Sequence, residues 1–305
     1  MHIHSRAIVY FDMIRRCGSI RAAARQLHVT ASAVNRQLLL LEDEFGAPLF
    51  ERLRSGLQLT AAGEAFARHV IHVLQDAKRL ENELDALRGL RRGRVVMQLV
   101  AAGVISSMLP PLLQRMRERY PQIALQVDVS SVAQASDALL QGEADVLLGF
   151  VPRHPELTQC ATARFDFGAV MAPTHPLATR RSLNFADCAA YPLILPTPQV
   201  TGTWNAVAPL LAALEQPPQV ALEAGSIELM KEMAAAGVGI SVQNRLGIER
   251  DLASGRLVLI PLTSPGGLYA DLSIYVRAGR ALPPAVDALV RMATEELVRL
   301  ADQAT

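Results

Sequence analysis

The chain has 305 residues, half of them hydrophobic, with three cysteines and a net charge of +1 at neutral pH. The near-zero net hides an asymmetry: residues 1–94 hold 15 Lys and Arg against 10 Asp and Glu, a net of +5, and residues 95–305 hold 15 against 19, a net of −4. Cys17, Cys160 and Cys188 lack CxxC spacing and exclude a disulfide framework or a zinc site, and the absence of any run of about 18 apolar residues excludes a membrane-spanning helix.

The start, MHIHSRAIVYFDMIRR, lacks the apolar core of a signal peptide, so a soluble cytoplasmic protein is expected. Residues 19–45 then read as two short helices around a tight corner. Ile20, Ala23, Ala24 and Leu27 share one helical face, and Val34, Leu38, Leu41 and Phe45 repeat that spacing after the corner His28-Val29-Thr30. Ser19 and Thr30 stand where each helix begins and accept a bond from an unpaired first-turn N–H. Ala24 lets the helices cross closely, Val34 plugs the space between them, and His28 takes a left-handed corner. Ala31, Ser32, Ala33, Asn35, Arg36 and Gln37 form the exposed start of the second helix. Asn, Gln and Arg make paired hydrogen bonds to adenine or guanine edges, and a helix-turn-helix presents its second helix to the major groove.

Gly46-Ala47-Pro48 ends that helix. Leu49–Leu53 and Gly56–Leu59 look like a two-stranded wing around Arg54-Ser55, with Arg52 and Arg54 placed either for phosphate or to cap the domain's own helices. Thr60 caps a helix running to about Leu90. Phe66, Val70, Val73, Ala77, Leu80, Leu84 and Leu87 alternate steps of four and three, a heptad seam that implies pairing with a second chain. His69 and His72 on this helix read as solvated, so no metal is expected.

The stretch GSIRAAARQLHVTASAVNRQLLLLEDEFGAPLFERLRSGLQLTAAGE resembles the amino-terminal domain of LysR-type transcriptional regulators. The resemblance is carried by Gly18, Ser19, Ala23, Ala24, Leu27, His28, Val29, Arg36, Gln37, Leu41, Glu42, Gly46, Pro48, Leu49, Phe50, Arg52, Leu59, Thr60 and Gly63. It implies a DNA-contacting set of Ser19, Thr30, Ala31, Ser32, Ala33, Asn35, Arg36, Gln37, Arg52 and Arg54. Ala31 and Asn35 depart from the Gln and Ser common in the family, which bears on the operator sequence. The resemblance also implies a homodimer or homotetramer on an interrupted palindromic operator, with RNA polymerase as a further partner.

Beyond the charged stretch 88–94 the pattern alternates between strand and helix. Strands are expected at 95–100, 123–129, 144–150, 167–172, 192–196, 219–224, 239–243, 257–262 and 270–276. Helices are expected at 107–119, 133–142, 203–214, 226–236, 246–253 and 284–302. This predicts a parallel sheet with helices on both faces. The whole is therefore expected to be an all-α winged helix-turn-helix (1–60), a linker and dimerisation helix (61–90), and an α/β effector domain (91–305). By the family resemblance, that domain is a two-lobed sensor like a type 2 periplasmic binding protein, with lobe I about 95–164 and 270–305 and lobe II about 165–269.

Ligands of such sheets sit beyond the carboxyl ends of the strands, at helix N-termini whose free N–H groups favour an anion such as a carboxylate. The candidate effector residues are Ser106, Ser107, Ser131, Thr201, Gly202, Thr203 and Ser226, with Phe150 and Gln243 on the walls; each hydroxyl is equally an ordinary helix cap. Enzyme signatures are missing: Gly237-Val238-Gly239 lacks a third glycine, and no Walker loop, GxSxG or HExxH occurs. A regulator controlled by a small-molecule effector, without a cofactor, is therefore expected over a solute-binding protein or an α/β enzyme.

Overall fold

Arg6–Cys17, which no helical pattern singled out, form the first helix, α1, and supply Phe11 and Ile14 to the core beneath the helix-turn-helix. The computed structural model describes residues 5–53, 56–87, 93–100, 102–198, 200–279 and 281–303. Two units emerge, Met1–Leu90 and Arg91–Thr305.

In the first unit, α1 is followed by α2 (Ile20–Gln26), α3 (Ala31–Phe45), β1 (Phe50–Leu53), β2 (Gly56–Leu59) and α4 (Ala61–Leu87). The caps form as expected: Ser19 Oγ accepts from the Ala22 amide and Thr30 Oγ1 from the Ala33 amide. His28 turns the corner at φ 55°, the left-handed region. Ala23, Ala24, Val34, Leu38 and Leu41 are buried together. Phe45 is not: it is 51% exposed and packs its ring against Phe66 at 4.7 Å. Glu42 pins the wing, its Oε1 accepting from the amides of Leu49 (2.8 Å) and Phe50 (3.3 Å). Thr60 opens α4, donating to the Pro48 carbonyl and accepting from the Gly63 amide.

The expected seam on α4 divides between two environments. Val70 is fully buried in the unit's own core, and Phe66 packs edge-on to Phe11 at 4.7 Å. These two residues are therefore used within one chain, because α1 already fills their side of α4. Val73 and Ala77 are half-buried and Leu80 is 41% exposed. The Leu84 and Leu87 side chains and residues 88–90 lie outside the described set.

The second unit runs β3 (Gly93–Val100), α5 (Ala102–Ser107), α6 (Leu109–Arg119), β4 (Ile123–Val129), α7 (Val132–Leu140), β5 (Val146–Gly149), β6 (Leu157–Met171), α8 (Phe185–Ala189), β7 (Leu193–Pro196), α9 (Thr201–Ala212), β8 (Val220–Ala224), α10 (Ile227–Ala235), β9 (Ile240–Asn244), α11 (Glu249–Ala253), β10 (Val258–Pro261), β11 (Tyr269–Arg277) and α12 (Pro284–Asp302). The strand order is β4-β3-β5-β11-β6-β9-β7-β8, with β10 also paired to β6.

The sheet is mixed rather than parallel. β3 runs parallel to β4 and β5, and β7 runs parallel to β8 and β9. Between these groups stand the antiparallel strands β6 and β11. β6 is 15 residues long, not the six expected. Its first part, Leu157–Asp166, pairs with β11, and its last part, from Phe167, pairs with β9 and β10. The first part alternates buried or half-buried with exposed side chains, so no continuous apolar run announces it. The chain thus crosses between two lobes at Asp166-Phe167 and again before Tyr269. One lobe is built on Val95, Met97, Leu99, Val146 and Leu148 under α6 and α12, the other on Ala169, Met171, Leu193, Leu195 and Val242.

Candidate functional site

Two places collect polar residues that no packing role consumes. The first lies between α1 and the start of α3. Thr30, Ser32, Ala33, Arg36 and Gln37 line a groove of about 500 Å³ together with Arg6, Tyr10 and Leu40. Arg6 and Arg36 are both exposed there, so the groove presents two guanidinium groups beside the amide of Gln37. That is a surface for an anionic backbone with adjacent hydrogen-bonding edges.

The other candidates divide. Asn35 is half-buried and outside the groove, and Ser19 stays at its cap. Ala31 packs against the core instead of standing exposed, since the first turn of α3 leans on α2. Arg52 is exposed on β1 opposite Leu57, and Arg54 lies outside the described residues. Arg6 and Tyr10 were missed because α1 carries them and was not anticipated. The i, i+4 pair they form was the available signal.

The second place is a cavity of about 190 Å³ in the second unit, where the carboxyl ends of parallel strands from both lobes meet. Val100 ends β3, Val129 ends β4 and Phe150 follows β5. From the other lobe come Gly202 and Thr203 at the start of α9, Gly225 and Ile227 at the start of α10, and Gln243 and Asn244 at the end of β9. Four expected residues, Phe150, Gly202, Thr203 and Gln243, are thus brought together. None of the described lining residues carries a formal charge.

The serines behave differently. Ser131 and Ser226 are helix caps, accepting from the Gln134 and Leu229 amides, and neither lines the cavity. Ser106 is exposed and away from the cavity. Ser107 donates to the Gly103 carbonyl and accepts from the Gly247 amide at 2.8 Å, so it ties one lobe to the other. The Thr201 side chain lies outside the described set. Ser130 takes a place on the wall, its hydroxyl donating to Gln98 Oε1 at 2.7 Å.

Glycines let the lobes close. A Cβ on Gly103 would lie 2.6 Å from the Leu246 carbonyl oxygen, and one on Gly202 would lie 2.9 Å from the Phe150 ring. Sequence reasoning missed Gly103, Asn244 and Leu246, because backbone proximity across lobes leaves no periodic mark. On the far side of α10, Lys231 is buried with Glu228 at 2.7 Å and Asp251 at 3.3 Å. Burial works to lower its pKa, but these acids outweigh it and the net shift is upward, so the amine stays charged and anchors α10. Among the described residues, no cluster suits a metal ion and no helix is long and apolar enough to cross a membrane.

Comparison with known proteins bears on both places. Residues 5–64 match the model of the bacterial regulatory helix-turn-helix protein, lysR family, and residues 88–298 match the LysR substrate binding domain. The RuBisCO operon transcriptional regulator of Allochromatium vinosum is 28% identical over 301 residues, covering 98% of each chain. The HTH-type transcriptional regulator CbbR of Rhodospirillum rubrum is 29% identical, covering 94% of each. Among solved structures, full-length OxyR from Pseudomonas aeruginosa superposes with a TM-score of 0.72 at 22% identity, covering 96% of this chain and 95% of that one. Full-length CbnR complexed with its target DNA gives 0.55 at 23% identity, covering 95% and 99%. At these identities the two structures speak for the fold.

Proposed function

Because the chain belongs to the LysR family of bacterial transcriptional regulators, we propose that α3 reads an operator through Arg36 and Gln37, while Arg6, Ser32 and the wing residue Arg52 hold the phosphate backbone. As a family member it is a DNA-binding regulator with an effector-binding domain, not an enzyme. The cavity between the lobes is the proposed effector site, with Phe150, Gly202, Thr203 and Gln243 on its walls, and its ligand a small carboxylate. Ligand binding would shift the balance between lobe arrangements and so the way the assembled subunits sit on DNA. The proposed assembly is a homodimer or homotetramer, paired through the part of α4 beyond Val70 and set on two half-sites of an interrupted palindrome. The proposed setting is the cytoplasm, where RNA polymerase is the further partner.

The observation that carries the DNA reading is the groove holding Arg6, Arg36 and Gln37 together on one exposed face. Its test is Arg36→Ala in a titration of the full chain against its operator and against random duplex. A base-reading arginine loses about 1–3 kcal/mol on the operator only. Equal loss on both duplexes would reduce Arg36 to a phosphate contact, and no preference for any operator by the unaltered chain would sink the reading itself.

A further inference from the structure

We infer that the cavity selects a small monocarboxylate bearing a second, hydrogen-bond-donating group, a hydroxyl or an amine, and that Gln243 reads that donor. The inference rests on the cavity being the effector site.

The acid end follows from how two helices begin. α9 is 12 residues long, and its N-cap is Val200, which supplies no side-chain bond. Its first N–H groups have no partner within the helix and open on the cavity at Gly202 and Thr203. α10 also starts at the cavity, but Ser226 caps it and Glu228 stands in its first turn. Glu228 is exposed and paired with Lys231 at 2.7 Å, so the Ser226 cap alone marks this start as taken. One start has no side-chain cap among the described residues and the other has one, which places a single acid at α9.

The donor end follows from a buried acceptor. Gln243 lines the cavity and is 2% exposed. Its Nε2 donates to Ser241 Oγ at 2.9 Å, and its Oε1 has no hydrogen-bond partner. A buried acceptor left unpaired is costly, and a donor arriving with a ligand relieves that cost. Ser130 donates to Gln98 and Asn244 Oδ1 accepts from the Leu246 amide at 3.1 Å, whereas Gln243 Oε1 is the buried side-chain acceptor left unpaired among the described residues. Val100, Phe150, Ile227 and Leu246 add apolar wall to the same cavity. The cavity of about 190 Å³ has room for a small acid.

The test is calorimetry on the full chain with four- and five-carbon monocarboxylates, each beside its hydroxy and amino derivatives, and with butanedioate. At least one donor-bearing acid is expected to bind about tenfold more tightly than its parent, and butanedioate no more tightly than butanoate. In Gln243→Leu the ratio of the two affinities falls to about one. The comparison in the unaltered chain stands even where the variant fails to fold. Acids that bind with no advantage for any donor-bearing partner overturn the inference and leave the effector cleft intact, as does an advantage that survives in Gln243→Leu. Binding by none of these acids overturns both.

Discussion

Gly63 shows how one residue of the amino-terminal motif is fixed by contact. It sits in the first turn of α4, where alanine is intrinsically better by about 1 kcal/mol. A Cβ there would fall inside contact distance of the Leu49 carbonyl oxygen and 3.0 Å from Leu59 Cδ2. Leu49 cannot retreat easily, because its amide is tied to Glu42 Oε1 at 2.8 Å and Thr60 bonds the neighbouring Pro48 carbonyl at 2.7 Å. Overpacking of this kind costs about 1–3 kcal/mol, so the steric term outweighs propensity. Gly63→Ala is expected to lower the urea midpoint of the first unit. A raised midpoint would show that the wing yields. The same logic separates the cavity glycines from ordinary ones: Gly202 and Gly103 each meet a group from the opposite lobe, whereas Gly255 and Gly279 meet nothing.

At the scale of elements, α4 carries two functions on one stripe. Its first three turns belong to the helix-turn-helix core through Phe66, Ala67 and Val70, and its later turns expose Leu80. Val70→Ala therefore lowers the stability of the first unit by about 1–3 kcal/mol and leaves the assembled mass alone. Leu80→Asp is expected to do the reverse, splitting the assembly while each unit stays folded. Sedimentation of the two variants distinguishes them, and an unchanged mass for Leu80→Asp would end the coiled-coil proposal. The heptad spacing was plain in the sequence, but the division was not. Spacing shows that a face is apolar, and only the presence of α1 shows what covers it.

The same limit explains the other differences. Strands buried on both faces, such as Val146–Gly149, announce themselves as apolar runs. The first ten residues of β6 lie against β11 with alternate side chains exposed, and no expected strand covered them. α12 matches its expected bounds of 284–302, because its two prolines, Pro283 and Pro284, mark the start and its apolar stripe runs unbroken to Leu300. Of the effector candidates, the hydroxyls at Ser131 and Ser226 were visible as caps from their spacing and proved to be caps in position. Gln243 was visible as a polar residue ending an apolar strand, yet its unpaired oxygen is a property of the folded lobe.

At the scale of the whole molecule, charge and cavity fall in different units. All the described cavity walls lie within Arg91–Thr305, and the groove with Arg6 and Arg36 lies within Met1–Leu90. The second unit also has its own buried cores, one of them joined by α12 at the carboxyl end. Residues 91–305 produced alone are therefore expected to unfold cooperatively and to bind the same monocarboxylates as the full chain, with no affinity for duplex DNA. The two affinities should also respond differently to salt. Each phosphate neutralised by the basic unit contributes about −0.9 to the slope of log affinity against log salt, so operator binding by the full chain falls steeply between low and moderate salt. Carboxylate binding is expected to change less over the same range, because one acid carries a single charge and no charged side chain stands among the described walls of its site. Titrations of both ligands over a salt series check this. DNA binding by residues 91–305, or operator affinity that ignores salt, would show that the division of charge does not carry the division of function.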